Sequence, residues 1–386
     1  MKIKNVFPYI ISIIISFVLI SCNNDNKIVN PEPTVQIDSS RFIWTIQEVP
    51  FGILRHTIVM TDTDVVFGIN WLPDSPPNVF RIKSWKMENY YFPDNVFPAQ
   101  VVSTEPNDVY VVCNDTVPGK LKKPHIEKWS GNGFTYLNIP IIQQNGFGGS
   151  AIGNCISKTG EIYMPSKYHN VFIYDGTKIY EIPGPTDTMV IQQMFFDKKN
   201  VLKCYSEYQY YVNDTIGLES TYIFYEYDGN KWKEVYELPN KYGDPKFIGI
   251  FNSNIGVISM QGIYELTETN NLVLKVTNNF PYYSFAFPIA GESFDDFISL
   301  GGISDKTNNK NWSKDGTFSI LNWNGKSPSL EFRHLDFIYP TGIRYYKGYY
   351  CLIKSTYTEK SILYIGRPKN MELKNQNNSV SKNKNY

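Results

Sequence analysis

Reactive side chains are scarce in this sequence of 386 residues. It contains 4 histidines, and no two of them have the i, i+4 spacing of a metal-binding helix. It also lacks a G-x-S-x-G motif and an H-E-x-x-H motif, which argues against a serine hydrolase of that type and against a zinc protease. The sequence therefore predicts no catalytic residue, no metal site and no cofactor.

The 5 cysteines lack the C-x-x-C spacing of zinc and redox sites. Four of them lie in the body of the chain: Cys113, Cys155, Cys204 and Cys351. In an exported protein two of these could form a disulfide, and we then expect Cys113 to pair with Cys155 from the neighbouring repeat. The alternative is that all four are small buried hydrophobic residues.

Neither an excess of one charge nor a long hydrophobic run is present. Lys and Arg number 37 and so do Asp and Glu, so nothing predicts nucleic acid as a partner. The longest apolar run extends from about Val6 to Ile20. Because a membrane-spanning helix needs about 20 apolar residues, this run does not favour a permanent anchor helix.

The apolar run instead has the layout of a secretory signal peptide. Lys2 and Lys4 precede it, and it ends in the sequence LISC at Cys22. This ending resembles the lipobox of bacterial lipoproteins. The alternative interpretation is a plain signal peptide that happens to be followed by a cysteine. The resemblance implies that the Cys22 thiol receives a diacylglyceryl group and that residues 1–21 are removed. Two or more acyl chains then hold a protein stably on a membrane.

The polar segments at both ends of the body are expected to lack folded structure. Residues 22–40 contain Pro31 and little apolar surface, which predicts a flexible tether, and residues 369–386 are predicted to be a disordered tail. Asn23 follows the lipobox cysteine, where an aspartate signals inner-membrane retention in enteric lipoproteins. We therefore expect a lipid-anchored protein of the cell envelope, at the outer membrane.

Aromatic residues are abundant, at 16% of the sequence, and they favour strands. A meander of four short predicted strands, interrupted by turn residues, extends from Gln100 to Ile139. Further copies recur along the chain at intervals of 40 to 54 residues. The residues that mark the first turn of each copy are Asp64, Asp108, Gly160, Asn200, Asn254, Asp296 and Gly348.

Seven copies at this period predict a seven-bladed β-propeller of four-stranded antiparallel blades over residues 41–368. The alternative is an array of β-sandwiches with similar turns. The last copy lacks a fourth strand, and Phe42–Pro50 precedes the first copy alone, so we expect this N-terminal segment to close the ring. The pattern NDVYVV followed by I-x-x-W-x-G resembles the degenerate propeller repeats of exported bacterial lipoproteins, which implies architecture only.

Candidate functional residues all have a structural alternative. The pairs Asp62 with Asp64 and Asp295 with Asp296 could cleave glycosides, but their positions favour turn formation. His125 is interpreted as a hydrogen-bonded structural residue. The tyrosine-rich stretches could stack on sugars or peptides, although core packing is the commoner role. These stretches are Tyr205–Tyr211 and Tyr282–Phe287, and the glycines of 146–150 are interpreted as a loop.

Two functions remain open from the sequence. The first is a membrane-anchored propeller that binds a protein or a glycan without catalysis. The alternative is a periplasmic or surface carbohydrate-active enzyme whose carboxylates come from loops in the propeller funnel. The balanced charge and the lack of an acid–base constellation favour the first.

Overall fold

The computed structural model of the chain describes most of the residues from 35 to 369. The described residues are 35–38, 41–50, 58–63, 65–70, 78–105, 107–115, 120, 122–142, 146–147, 153–213, 217–240, 247–251, 254–259, 261–277, 283–303, 318–335, 340–355 and 360–369. Residues 1–34, with the expected signal peptide and Cys22, and residues 370–386 lie outside them. In the part of the chain described, no helix is long and apolar enough to cross a membrane.

Thirty strands make up the secondary structure of the described residues. In chain order they are β1 (Val35–Asp38), β2 (Phe42–Val49), β3 (Val59–Asp62), β4 (Val65–Asn70), β5 (Asn78–Lys83), β6 (Lys86–Tyr91), β7 (Val96–Glu105), β8 (Asp108–Asp115), β9 (Lys123–Trp129), β10 (Phe134–Tyr136), β11 (Ile141–Ile142), β12 (Cys155–Ile156), β13 (Ile162–Pro165), β14 (Asn170–Tyr174), β15 (Ile179–Pro183), β16 (Ile191–Phe196), β17 (Leu202–Asn213), β18 (Gly217–Tyr227), β19 (Trp232–Asn240), β20 (Phe247–Phe251), β21 (Asn254–Ile258), β22 (Gly262–Leu266), β23 (Leu272–Thr277), β24 (Tyr283–Ser293), β25 (Asp296–Ile303), β26 (Phe318–Trp323), β27 (Pro328–Leu335), β28 (Pro340–Tyr346), β29 (Tyr349–Ser355) and β30 (Ser361–Pro368).

These strands form seven sheets, which confirms the predicted seven-bladed β-propeller. Blades one to six are β3–β6, β7–β10, β12–β15, β16–β19, β20–β23 and β24–β27, and blade seven combines β28–β30 with β2. In blades one to six the four core strands follow one another in sequence order, whereas in blade seven β2 takes the fourth position beside β30, and neighbouring core strands of each blade pair antiparallel. The first strand of one blade contacts the first strand of the next, as β28 with β3 and β3 with β7, so first strands line the centre of the ring.

The N-terminal strand closes the ring as the sequence predicted. β2 pairs antiparallel with β30 over its full length, from Phe42 opposite Pro368 to Val49 opposite Ser361. Phe42 and Trp44 are fully buried at the boundary with blade six. Because this pairing joins the two ends of the described chain, blade seven has no open edge at β30.

Two blades carry a fifth strand that the repeat pattern did not predict. β1 pairs with the outer edge of β2, so its four residues, Val35–Asp38, belong to the sheet of blade seven although they lie in the segment expected to be a tether. β11 pairs in parallel with β15 at the outer edge of blade three, through Ile141 opposite Ile179. Both additions cover outer edges, which protects the backbone groups of those edges.

The hydrophobic core is divided among the boundaries between blades. Each of seven buried clusters contains residues from two adjacent blades. One buried member of each, starting at the boundary of blades one and two, is Val111, Phe172, Cys204, Val257, Phe297, Leu300 and Phe80. Since β-branched and aromatic side chains alternate along the strands, each blade can pack against both of its neighbours. Seven clusters therefore account for seven boundaries in a closed ring.

The connections divide the ring into two faces. We call the face with the turns between first and second strands, and between third and fourth strands, the turn face. The opposite face, with connections between second and third strands and between blades, is the loop face. The predicted first-turn residues lie on the turn face, except for Asp64, which lies outside the described residues. Asn200, Gly160 and Gly348 have φ values of 62°, 91° and 91°, which explains the polar and glycine residues there.

Candidate functional site

A cavity on the loop face lies at the boundary of blades two and three. Its volume is about 600 Å³. Four connections line it: the one between β8 and β9, the one between β11 and β12, the turn between β13 and β14, and the one leading from blade three to blade four. The lining residues are Lys120, Lys122, Gly146, Tyr168, His169, Asn170, Pro183, Gly184 and Asp187.

His169 is the rigid element of this cavity. Its backbone N–H donates to the Ser166 carbonyl at 3.2 Å, and its own carbonyl accepts from the Gly184 N–H at 2.9 Å. A Cβ at residue 184 would lie 2.1 Å from that carbonyl oxygen, so only glycine fits there. The imidazole Nδ1 lies 2.9 Å from the Met189 carbonyl. Because a carbonyl only accepts, Nδ1 carries the proton and Nε2 of the neutral ring is an acceptor.

The chain segment at Gly146 is held in place by its neighbour. The Phe147 N–H donates to the Lys122 carbonyl at 2.8 Å, and the Phe147 ring is fully buried, 5.2 Å from the ring of Phe172. This confirms the loop interpretation for residues 146 and 147, whereas residues 148–150 lie outside the described part. The cavity wall is therefore fixed by a buried aromatic anchor.

The cavity combines positive charge with an exposed aromatic ring. Lys120 and Lys122 are exposed cations, and Asp187 is an acidic residue of the wall. The Lys167 ammonium lies 5.3 Å from the centre of the Tyr168 ring, which is itself 51% exposed. Such a combination suits a carboxylate next to an apolar group, because the lysines attract the charge and the tyrosine contributes contact area.

A long hairpin in blade four is the second feature of the loop face. β17 and β18 contain 12 and 11 residues, so their paired ends extend beyond β16. The stretch Tyr205–Tyr211 divides there: Tyr205 packs into the cluster of blades four and five, whereas Tyr208 and Tyr211 are 52% and 60% exposed. Core packing is therefore the right interpretation for Tyr205 and the wrong one for the exposed pair. The side chains of residues 282–287 lie outside the described residues.

The candidate carboxylate pairs serve turns and blade contacts. Asp62 Oδ1 accepts from the Thr63 N–H at 2.7 Å, and its predicted partner Asp64 lies outside the described residues. Asp296 Oδ2 contacts the Arg41 guanidinium at 2.5 Å. The neighbouring Asp295 N–H donates to Ser293 Oγ at 3.2 Å within the turn. The turn interpretation is therefore confirmed for Asp62, whereas the Asp296 carboxylate contacts Arg41 across the boundary of blades six and seven.

His125 is likewise structural. Its Nε2 lies 2.9 Å from Glu127 Oε1, and its ring stacks on Tyr136 at 4.4 Å between centres. Over the described ranges, no group of three or more His, Cys, Asp or Glu side chains is placed to hold a metal ion.

The expected disulfide between Cys113 and Cys155 is wrong, because the two residues face different blades. Cys113 is buried in the cluster of blades one and two, and Cys155 packs into the cluster of blades three and four. All four body cysteines are free thiols, and burial raises the pKa of each of them. The alternative interpretation, small buried hydrophobic residues, describes Cys113, Cys204 and Cys351.

Comparisons with known proteins agree with a propeller. No protein-family model and no curated protein matches this chain. Among solved structures, "YCF48 bound to D1 peptide" is similar with a TM-score of 0.53 and 10% identity, over 86% of this chain and 96% of that one. The fold, its seven clusters and this likeness define the chain as a seven-bladed β-propeller.

Two peptidase structures are similar at a lower level. The tricorn protease has a TM-score of 0.48 and 9% identity, over 80% of this chain and 33% of that one. Pyrococcus horikoshii acylaminoacyl peptidase has a TM-score of 0.43 and 10% identity, over 67% and 42%. These likenesses add nothing to the assignment of the fold.

Proposed function

We propose that this propeller is a non-catalytic binding module that recognises a partner protein at its loop face, and that a lipid on Cys22 anchors it to the cell envelope. The observation that carries the binding role is the cavity of about 600 Å³ between blades two and three. Binding sites are typically open, largely preformed cavities with a few fixed polar groups. His169, held at its backbone and at its ring, is such a group.

The chemistry of the cavity favours an acidic side chain or a chain terminus of the partner. Lys120 and Lys122 attract a carboxylate, and Tyr168 offers an aromatic surface beside it. The similar propeller YCF48, whose structure contains a bound D1 peptide, supports a protein ligand rather than a small molecule. Of the carboxylates considered for the alternative enzyme, that of Asp296 is engaged in an ion pair with Arg41.

Site-specific cross-linking tests the binding role. A photo-reactive amino acid at position 168 would place the cross-linker at the cavity, and the same residue at position 231, exposed on the turn face, is the matched control. In native cells we expect a discrete protein adduct from position 168 and none from position 231. Lys120→Glu together with Lys122→Glu should lower the yield several-fold. Equal adducts from both positions, or capture of glycan alone, would contradict the proposal.

A separate experiment tests the anchor. Cys22→Ser should abolish incorporation of labelled fatty acid and move the protein from the membrane fraction to the soluble fraction, or leave an uncleaved precursor. Unlabelled wild type together with a processed, membrane-bound variant would show that Cys22 carries no lipid. This result would leave the loop-face binding role intact.

Fractionation tests the proposed outer-membrane location, which rests on Asn23 after the lipobox cysteine. On a sucrose gradient we expect the protein to sediment with outer-membrane markers. Sedimentation with inner-membrane markers would exclude this location. A variant with Asn23→Asp controls for the retention signal.

A further inference from the structure

The hairpin of blade four presents a strand edge on the loop face. β16 pairs with β17 only as far as Ile191 opposite Ser206, whereas β17 and β18 stay paired to Asn213 opposite Gly217. Across the described residues, no strand pairs with residues 207–210 on the side of β17 that faces away from β18. Alternate residues of an antiparallel strand direct their N–H and C=O groups to each side. An added strand here would continue the line of β16 beyond its first residue, Ile191.

A tyrosine pair stands beside this edge. Tyr208 and Tyr210 stack with ring centres 6.1 Å apart at an interplanar angle of 26°. Alternate residues of a strand point to the same face, and Cys204, Tyr208 and Tyr210 are all alternate residues of β17. Because Cys204 is buried against blade three, both tyrosine rings lie on the face of the hairpin that is directed to that blade. The Tyr210 hydroxyl donates to Glu219 Oε2 at 3.2 Å from the opposite strand.

The part of the hairpin beyond Lys203 has acidic residues and no basic ones. Between Lys203 and Lys231 the sequence contains no Lys, Arg or His. Glu207 lies on β17 and Glu219 lies on β18 opposite Tyr210. Exposed strand edges usually carry lysines or prolines that prevent pairing with another chain, and the sequence EYQY at 207–210 has neither.

We propose that this edge binds an extended, basic segment of a partner protein by strand addition. The segment's backbone pairs with residues 207–210, and its alternate Lys or Arg side chains lie over the stacked rings of Tyr208 and Tyr210, beside Glu219. Main-chain hydrogen bonds provide affinity in strand addition, and alternate side chains provide specificity. Cations are attracted to the faces of tyrosine rings and to the nearby carboxylate. The site is separate from the cavity at His169.

A synthetic strand tests this proposal with the detergent-solubilised full chain. The probe is a fluorescein-labelled peptide of eight alternating Lys and Val residues, and anisotropy reports its binding. We expect saturable binding that is weakened at least tenfold by Tyr208→Ala with Tyr210→Ala, and about threefold by Glu219→Gln. Methylation of alternate backbone nitrogens of the peptide should also weaken binding at least tenfold, because it removes the main-chain donors. Tyr136→Ala, which removes an exposed tyrosine of blade two, should leave binding unchanged.

Three outcomes would overturn it. Binding that survives backbone methylation would mean that charge alone attracts the peptide. Binding that the tyrosine variant leaves unchanged, and that Lys120→Glu with Lys122→Glu strengthens, would assign the peptide to the cavity. A dimer in sedimentation experiments that the tyrosine variant abolishes, without peptide binding, would show that a second copy occupies the edge. Because the tyrosine substitutions are on the surface, an unchanged melting temperature confirms that the variant is folded.

Discussion

Arg41 and Asp296 join the N-terminal closing strand to blade six across 255 positions of the sequence. Arg41 Nη2 lies 2.5 Å from Asp296 Oδ2, and Arg41 Nη1 donates to Asn322 Oδ1 at 2.8 Å. The guanidinium also lies 5.2 Å from the centre of the Phe42 ring. The contact therefore holds the strand that closes the ring against the blade next to it.

We expect Arg41→Ala to lower the free energy of unfolding by about 1–2 kcal/mol, because it removes an ion pair, a second hydrogen bond and a ring contact. The control is Lys360→Ala, which removes the ion pair between Lys360 and Glu48 at the other end of the closing strand. Both of those side chains are at least half exposed, so the expected loss is below about 0.5 kcal/mol. Urea unfolding followed by tryptophan fluorescence measures both, and equal losses would contradict the special role of Arg41.

The glycine at position 366 makes room for the tryptophan of the closing strand. A Cβ at this position would lie 2.7 Å from Trp44 Cζ3, and the Trp44 ring is fully buried. Gly366→Ala should therefore destabilise the protein by about 1–3 kcal/mol, as overpacking of a core does. Gly133→Ala is the matched control, since a Cβ there has no atom within 4 Å. Thermal unfolding of both variants gives the comparison, and an unchanged melting temperature for Gly366→Ala would show that Trp44 can move.

The blade count and the closing strand were predictable because they depend on local signals. Turn residues such as Asn200 and Gly160 recur once per blade, and the pattern of Phe42–Pro50 matches a fourth strand. β11 has only two residues, which is too short for a periodic pattern to predict it. Its pairing with β15 arises from the tertiary structure. The repeat pattern of the sequence therefore does not predict such extra edge strands.

The cavity and the exposed tyrosines were beyond sequence reasoning for a related reason. Lys120 and Asp187 come from connections that are far apart in the chain and meet only when blades two and three pack. In the hairpin, Tyr205 lies opposite β16 and is packed, whereas Tyr208 lies beyond Ile191, the first residue of β16, and is exposed. The type of residue does not indicate where a neighbouring strand stops. The expected disulfide between Cys113 and Cys155 was wrong for a similar reason. The alternation of side chains along each strand decides which neighbouring blade a thiol faces.

The free thiols give a chemical prediction. Burial raises the pKa of Cys351 to about 12 and also raises that of the other three body cysteines, so the reactive thiolate is rare at pH 8. In the native protein we expect iodoacetamide to react slowly, and first with Cys155, which is partly exposed. Peptide mass spectrometry over time measures the order, and denatured protein controls for complete labelling. Rapid labelling of Cys113 would contradict the structure, and so would a second peptide joined to Cys155 by a disulfide.

The last prediction concerns acid, and it rests on Asp108 at the start of β8. Asp108 Oδ1 lies 3.0 Å from Lys128 Nζ, and Thr104 Oγ1 donates to Oδ2 at 3.1 Å. Partial burial acts to raise the pKa of Asp108, but hydrogen bonds from Lys128, Tyr110 and Thr104 outweigh it and lower the pKa. The folded state thus favours the charged form, and the resulting stability is present above the unfolded pKa of about 4 and is lost as the pH falls through the lower folded value.

We therefore expect Asp108→Asn to be less stable than the wild type at pH 7, by less than about 1 kcal/mol because the pair is partly exposed. The difference should shrink as the pH falls from 5 and should vanish near the pH at which the native carboxylate is protonated. Urea unfolding from pH 7 to pH 3 measures this, with Asp94→Asn as the control for the loss of one exposed negative charge. A difference that stays constant over this pH range would mean that Asp108 stabilises the turn by its shape and hydrogen bonds, and not by its charge.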